Sequence, residues 1–367
     1  MSWLAGWDHR MAWAADSSDT DKVTDDLAKP SIPIFFGATV GISGSYDNTP
    51  IFDEIGSNSD EMAITYGDTE ELYVEVEDWQ SVAETGVVWI GDNTDASWDV
   101  ISGTDRTGWI YYKDGNPNTD RVAGVGSRTE VWDAGHVSVW HLSEDDTTYK
   151  DSTGNNDRTS GTNPDRVAGS IGFGQDFNLS AAEDIVTDNN DDVGNGAYTV
   201  EIQCNPDSGS VAPSQTLVGK RKTSTELPFL LLLRDKHPGA DLFSMLTVDA
   251  ATVYASDTTV TPDGSSWYYF VGRYNGSTEI ATFVDGTADG TDDVTGHGDW
   301  SNTDAFTMGA EENSGAEHYY DGQLDEVRIS SVSRANAWIK ANFYFQTDDL
   351  LYFGSEERLF IPQVMIF

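Results

Sequence analysis

The chain has a single cysteine, Cys204, in 367 residues, which excludes an intrachain disulfide framework and any multi-cysteine zinc site. Basic residues are scarce: 20 Lys+Arg stand against 63 Asp+Glu, a formal net charge of -43. With no Lys/Arg stripe to replace the counterions condensed on phosphates, nucleic acid is not an expected partner. Nowhere does the chain approach roughly 18 consecutive apolar residues, so no segment reads as a membrane span. Near the start, Asp8, His9 and Arg10 interrupt the apolar stretch that an export signal needs. The six histidines include no pair at helical metal-binding spacing, and no G-x-S-x-G, H-E-x-x-H or phosphate-binding glycine loop is present.

What is present is acid and aromatic. Twelve Trp, 15 Tyr and 15 Phe supply too much aromatic surface for a disordered acidic chain. Asp outnumbers Glu about two to one and Lys is scarcer than Arg, as in proteins that stay hydrated at high ionic strength, so a marine or halophilic setting is expected. The length suits two domains of ordinary size.

Short β-branched and aromatic runs recur between Gly, Asn and Asp clusters, the pattern of β-sandwiches. Ile32 to Phe36, Leu72 to Val76, Val87 to Ile90, Trp109 to Tyr112, Phe229 to Leu233 and Trp267 to Val271 are examples. Val200, Ile202 and Cys204 alternate onto one face, which makes Cys204 a buried structural thiol. Asp285-Gly286 reads as a tight turn between strands. The best helical segment is Ser333 to Phe345, with Ala337, Trp338 and Ala341 on one face. The spacing predicts an all-β protein: an N-terminal β-sandwich module over 1–133, a second sandwich over 134–357, and an apolar C-terminal tail over 358–367.

Several spaced motifs in the second half carry a resemblance. They are Trp140-His141-Leu142-Ser143-Glu144, Asp151-Ser152-Thr153-Gly154-Asn155-Asn156, and Ile171 to Phe177 with Gln175 where a small apolar residue is usual. Trp267 to Val271 and Phe283-Val284-Asp285-Gly286 follow, and then the most specific stretch, Asp321 to Ile329 with Arg334 and Trp338-Ile339-Lys340-Ala341-Asn342. Together these resemble the LamG-like, concanavalin A-like jelly-roll superfamily. The first half, through Trp7-Asp8-His9-Arg10, Ser59 to Ile64, Val87 to Ile90 and Trp109 to Pro117, resembles the uncharacterised module found upstream of such domains in surface proteins.

The resemblance implies a structural calcium at Asp325, with Asp151 and Asn155 of the opening loop to complete it, since calcium takes six to eight oxygen ligands. The alternative is that Asp325 only bonds backbone at the strand start. Glycan contact needs loop aromatics, and Trp300, Tyr319 and Tyr320 fit; equally, they cap the core edge. For catalysis, a retaining glycosidase needs two carboxyls about 5 Å apart. Glu201 to Asn205 lacks the second carboxylate, and adjacent Asp325 and Glu326 would point to opposite faces of a strand, so no catalytic residues are expected. Phe360, Ile361, Val364, Ile366 and Phe367 make the tail the most apolar run in the chain, a docking peg into another subunit or a strand folded back.

These readings describe a non-enzymatic adhesion or decoration protein, oligomeric, on a virion surface, with other assembly subunits and a host glycan as partners. The alternatives are a polysaccharide-degrading enzyme on the same sandwich and a cell-surface or extracellular adhesin.

Overall fold

The computed structural model describes residues 3–122, 125–145, 147–187, 193–207, 214–220, 226–235, 241–249, 252–313 and 316–359. The tail residues Phe360, Ile361, Val364, Ile366 and Phe367 lie outside the described residues. Among those described, the chain is nearly all β and every paired strand is antiparallel. No helix among them is long and apolar enough to cross a membrane. The expected strand runs lie in strands except for Leu72 and Trp267, which fall one residue before theirs, and the expected helix is Asn336–Gln346.

The chain forms two compact units. The first joins Met1–Asp133 to Tyr344–Phe367. Its larger sheet runs in the order Leu351–Arg358, His9–Ala15, Arg106–Tyr112, Met62–Tyr66, Glu70–Glu71. A three-stranded sheet runs Ile32–Phe36, Thr85–Gly91, Tyr73–Gln80. The second domain therefore does not extend to residue 357. Arg10 pairs with Glu357, Ala14 with Tyr352 and Ala15 with Leu351, so the last strand completes the sheet begun by the first. Main-chain pairing along one edge fixes this return, and side chains reinforce it. Lys22 Nζ donates to the Asp349 carbonyl at 2.7 Å and to its carboxylate at 2.9 Å, and the Tyr352 hydroxyl donates to Asp105 at 2.8 Å.

The second unit, Ala134–Phe343, is a two-sheet sandwich. One sheet runs Asp165–Ala168, Phe173–Phe177, Gly322–Ser330, Tyr198–Pro206, Tyr268–Tyr274, Glu279–Val284, Thr287–Asp293, with His136–Trp140 also on Gly322–Ser330. The other runs Ile185–Val186, Thr307–Met308, Gln215–Gly219, Leu227–Arg234, Leu242–Asp249, Thr252–Asp257. Val200, Ile202 and Cys204 enter the core between them with Phe229, Leu231 and Leu233. The run Leu227–Arg234 is apolar on both faces because Leu230 and Leu232 sit in a separate cluster with Leu227 and Val248. Asp285 and Gly286 have φ of 49° and 74°, the left-handed pair of a tight hairpin between Glu279–Val284 and Thr287–Asp293. A Cβ at Gly286 would also lie 3.1 Å from Lys340 Cα and from Phe343 Cβ.

In the first unit, Asp348 has a left-handed φ of 55° and accepts the Gly41 N–H at 2.6 Å. Burial pushes its carboxyl up to about 6, against the lowering effect of the Gly41 bond. A group whose folded pKa lies above its unfolded value of about 3.9 favours folding fully below about pH 4, and that contribution is lost as pH rises through about 6. Asp348→Asn keeps an acceptor for Gly41 and removes the charge. It is expected to match wild type near about pH 4 and to exceed it above about pH 6 by up to about 3 kcal/mol, read from urea midpoints at constant salt.

Candidate functional site

The second unit is organised around the strand Gly322–Ser330, in which every residue from Leu324 onward is buried. The alternation of buried and exposed positions that a strand with one solvated face shows does not occur here. Gln203 pairs with Asp325 and Glu201 with Arg328, leaving Glu326 and Val327 opposite Ile202 alone. This is a β-bulge, and Glu326 takes a left-handed φ of 50° to make it. The extra residue lets Leu324, Val327 and Ile329 all reach the core cluster although they are spaced three and then two apart.

The bulge also breaks the alternation expected for Asp325 and Glu326. Glu326 contacts His141 Nδ1 at 2.6 Å and accepts from Arg328 at 2.5 Å. Burial works against its charge, but His141 and Arg328 outweigh it and hold the Glu326 carboxyl below its ordinary value. Asp325 accepts the Ile171 N–H at 2.9 Å, and its carboxyl is pushed well up, first by burial and then by Glu326. Glu201 accepts the Tyr269 hydroxyl at 2.6 Å. The three carboxyls that lie nearest a glycosidase pattern are thus buried, and each makes an internal bond, while Glu201 Oε1 and Asp325 Oδ1 have no hydrogen-bond partner among the described residues.

Of the residues expected to hold calcium, Asp151 does not fit it. Asp151 is buried, and its two oxygens accept from Val139 N–H, Thr153 N–H and hydroxyl, Asn155 N–H and Asn156 N–H at 2.6–3.1 Å. The carboxylate folds the turn and keeps no lone pair directed outward. Asn155 is drawn into the same turn, while Asp325 is held by Ile171. The alternative, a strand-start Asp bonding backbone, is the arrangement seen.

Two of the three aromatics expected to meet a glycan face inward. Trp300 is fully buried, stacked on His297 at 3.6 Å between ring centroids and edge-on to Tyr274 at 4.9 Å. Tyr320 is fully buried and donates to the Gln323 carbonyl at 3.3 Å. The open rim of a sandwich loses apolar surface to water unless large rings plug it, and these loops supply the plugs. Tyr319 alone of the three is half-buried.

Sequence reasoning missed a polar cleft of ≈ 210 Å³ beside the edge hairpin Asp165–Ala168/Phe173–Phe177. Gln175 builds its wall: its amide donates to the Leu142 and Glu144 carbonyls at 2.8 and 2.9 Å and accepts the Tyr149 hydroxyl at 3.0 Å. This accounts for a glutamine where the resemblance implies a small apolar residue. Arg166, paired across the hairpin with Gln175, lies over the Phe173 ring at 3.5 Å and lines the cleft with Glu144, Asp145, Asn163 and Asp165. Its Nε is shielded from water and has no hydrogen-bond partner among the described residues.

Arg328→Met leaves Glu326 buried without its guanidinium and is expected to destabilise the protein by about 3–5 kcal/mol, measured by urea unfolding. Because Asp151 is already saturated, chelation with EDTA is expected to leave the melting temperature within about 1 °C of the untreated protein at constant ionic strength; a larger drop would place a structural cation in the fold.

The family model described as the concanavalin A-like lectin/glucanases superfamily matches residues 180–340. No curated protein matches the chain. Among solved structures, the binding domain of Paraclostridial Mosquitocidal Protein 1 is similar at 12% identity and a TM-score of 0.48, over 57% of this chain and 52% of that one. Domain 4 of AbnA, an extracellular arabinanase from Geobacillus stearothermophilus solved with arabinotriose, gives 15% and 0.43 over 57% and 97%. The ligand-binding domain of botulinum neurotoxin serotype D, solved with N-acetylneuraminic acid, gives 12% and 0.46 over 57% and 50%. The chain spans about half the length of the two toxin domains. At these scores none of the three says what this chain binds. The family match and the two-sheet sandwich agree: the C-terminal half carries a domain of the concanavalin A-like lectin/glucanases superfamily.

Proposed function

We propose that the chain is a non-enzymatic surface-binding protein whose concanavalin A-like unit recognises a glycan at the Gln175–Arg166 cleft. The setting we favour is an adhesion or decoration protein on a virion surface in saline medium. The acidic composition supports the saline part, since a net charge of -43 self-repels unless salt screens it.

The observation that carries the reading is Arg166. A guanidinium packed on Phe173 lines a cleft otherwise furnished with carboxylates and an amide. Sugar hydroxyls both donate and accept, so one ligand satisfies both kinds of group. The engagement of Glu201, Asp325 and Glu326 in internal bonds supports binding over hydrolysis.

On a glycan array run in molar salt, Arg166→Ala is expected to lose roughly tenfold or more in affinity for at least one glycan that the wild type retains, with an unchanged melting temperature. Array binding that ignores this substitution would move the site elsewhere. Reducing ends released from polysaccharide by the wild type would establish the enzyme reading instead.

A further inference from the structure

The outer face of the five-stranded sheet in the first unit has a gap. Ala12 and Ala14 project beside Gly354, with Trp109 and Thr107 across one flank and Tyr352 across the other. Side chains of this size on neighbouring strands leave a groove of ≈ 410 Å³, within the ~300–1,000 Å³ range of small-molecule sites. A Cβ on Gly354 would already sit 3.2 Å from the Ala12 Cβ, so the floor is as low as the backbone allows.

Both aromatic walls are fixed. Arg10, itself buried, lays its guanidinium over Trp109 at 3.6 Å and over Trp3 at 4.2 Å, and Glu357 holds that guanidinium at 2.8 and 3.0 Å. Tyr352 is tethered through its hydroxyl to Asp105. Trp109 and Tyr352 nonetheless remain only half-buried. Rings held in place before a ligand arrives lose little freedom when it binds.

We infer that this groove is a second binding site, for a neutral saccharide stacked between Trp109 and Tyr352. An anion is opposed by Asp68 at the rim and by the charge of the chain. A cation is opposed by the Arg10 guanidinium already on Trp109. An extended peptide gains no ladder bonds, because the groove crosses the sheet's face rather than its edge. An acyl chain would leave one side in water. A sugar ring offers apolar faces to the rings and hydroxyls to Thr107 and Asp68.

Calorimetric titration of the full chain in molar salt with cellohexaose, laminarihexaose and maltohexaose tests this. Wild type is expected to bind at least one of them. Trp109→Ala, which removes a wall, and Ala12→Leu, which fills the floor and leaves both walls intact, are each expected to weaken that binding by roughly tenfold or more. Val82→Ala, at an exposed residue of the same unit that does not line the groove, should leave it unchanged. No binding by wild type to any of the three overturns the inference, as does undiminished binding by a folded Ala12→Leu protein, or an equal loss through Val82→Ala.

Discussion

The second unit depends on one irregularity, the extra residue at Glu326. Gly322–Ser330 pairs with three strands, His136–Trp140, Phe173–Phe177 and Tyr198–Pro206, so its register sets the registers of its neighbours. A regular strand cannot send both Leu324 and Val327 into the core, because residues three apart face opposite ways. The bulge resolves this at the cost of a left-handed Glu326 and two adjacent buried carboxyls. Arg328 and His141 then hold Glu326 ionised, while the Asp325 carboxyl is shifted towards its neutral form. A buried ion pair of this kind adds little net stability over an apolar substitute. Its effect is on register, since an alignment shifted by one residue would carry Arg328 along but part Glu326 from His141.

The acidity has a structural share as well as a solvating one. Asp47, Asp92, Asp95, Asp151, Asp263 and Asp299 each accept the backbone N–H two residues on, where Ser or Thr follows and its hydroxyl bonds the same carboxylate. These Asx turns fix loop geometry without proline and without disulfides. Through those bonds Asp263 is held down to about 2 and Asp299 below its ordinary value. An acidic cluster in this chain therefore reads first as a set of turns, as at Asp151, whose oxygens already accept the donors of its own turn.

The strands were legible because apolar alternation and turn residues are local signals, and Asp285-Gly286 carried its own φ requirement. The bulge was legible in principle from the odd spacing of Leu324, Val327 and Ile329. Burial of Trp300 and Tyr320 was not, because whether a loop ring turns in or out depends on the gap it fills: His297 and Tyr274 receive one and Phe177 lies beside the other. Gln175 stood out only as a departure from pattern, and its three bonds reach loop groups about 30 residues away in sequence. The groove in the first unit is made by small residues, Ala12, Ala14 and Gly354, which no motif marks.

The final strand was the least legible element. Leu351–Arg358 reads as Leu-Tyr-Phe-Gly-Ser-Glu-Glu-Arg, half apolar and half charged, with nothing local to say that its partner begins at His9. That pairing makes the second unit an insertion within the first. An insertion is tolerated when its two ends lie close together, and here Ser331 N–H donates to the Gly135 carbonyl at 2.8 Å, where the inserted unit opens and where its central strand leaves. The first unit's larger sheet thus cannot reach its full width until the whole inserted unit has been made. A domain emerging in that order exposes the edge of His9–Ala15 for the intervening synthesis, and an unpaired edge is an aggregation hazard. Arg10, near the start of that edge, is the residue that Glu357 later neutralises, so the charge that guards the open strand is also the one that captures its missing partner.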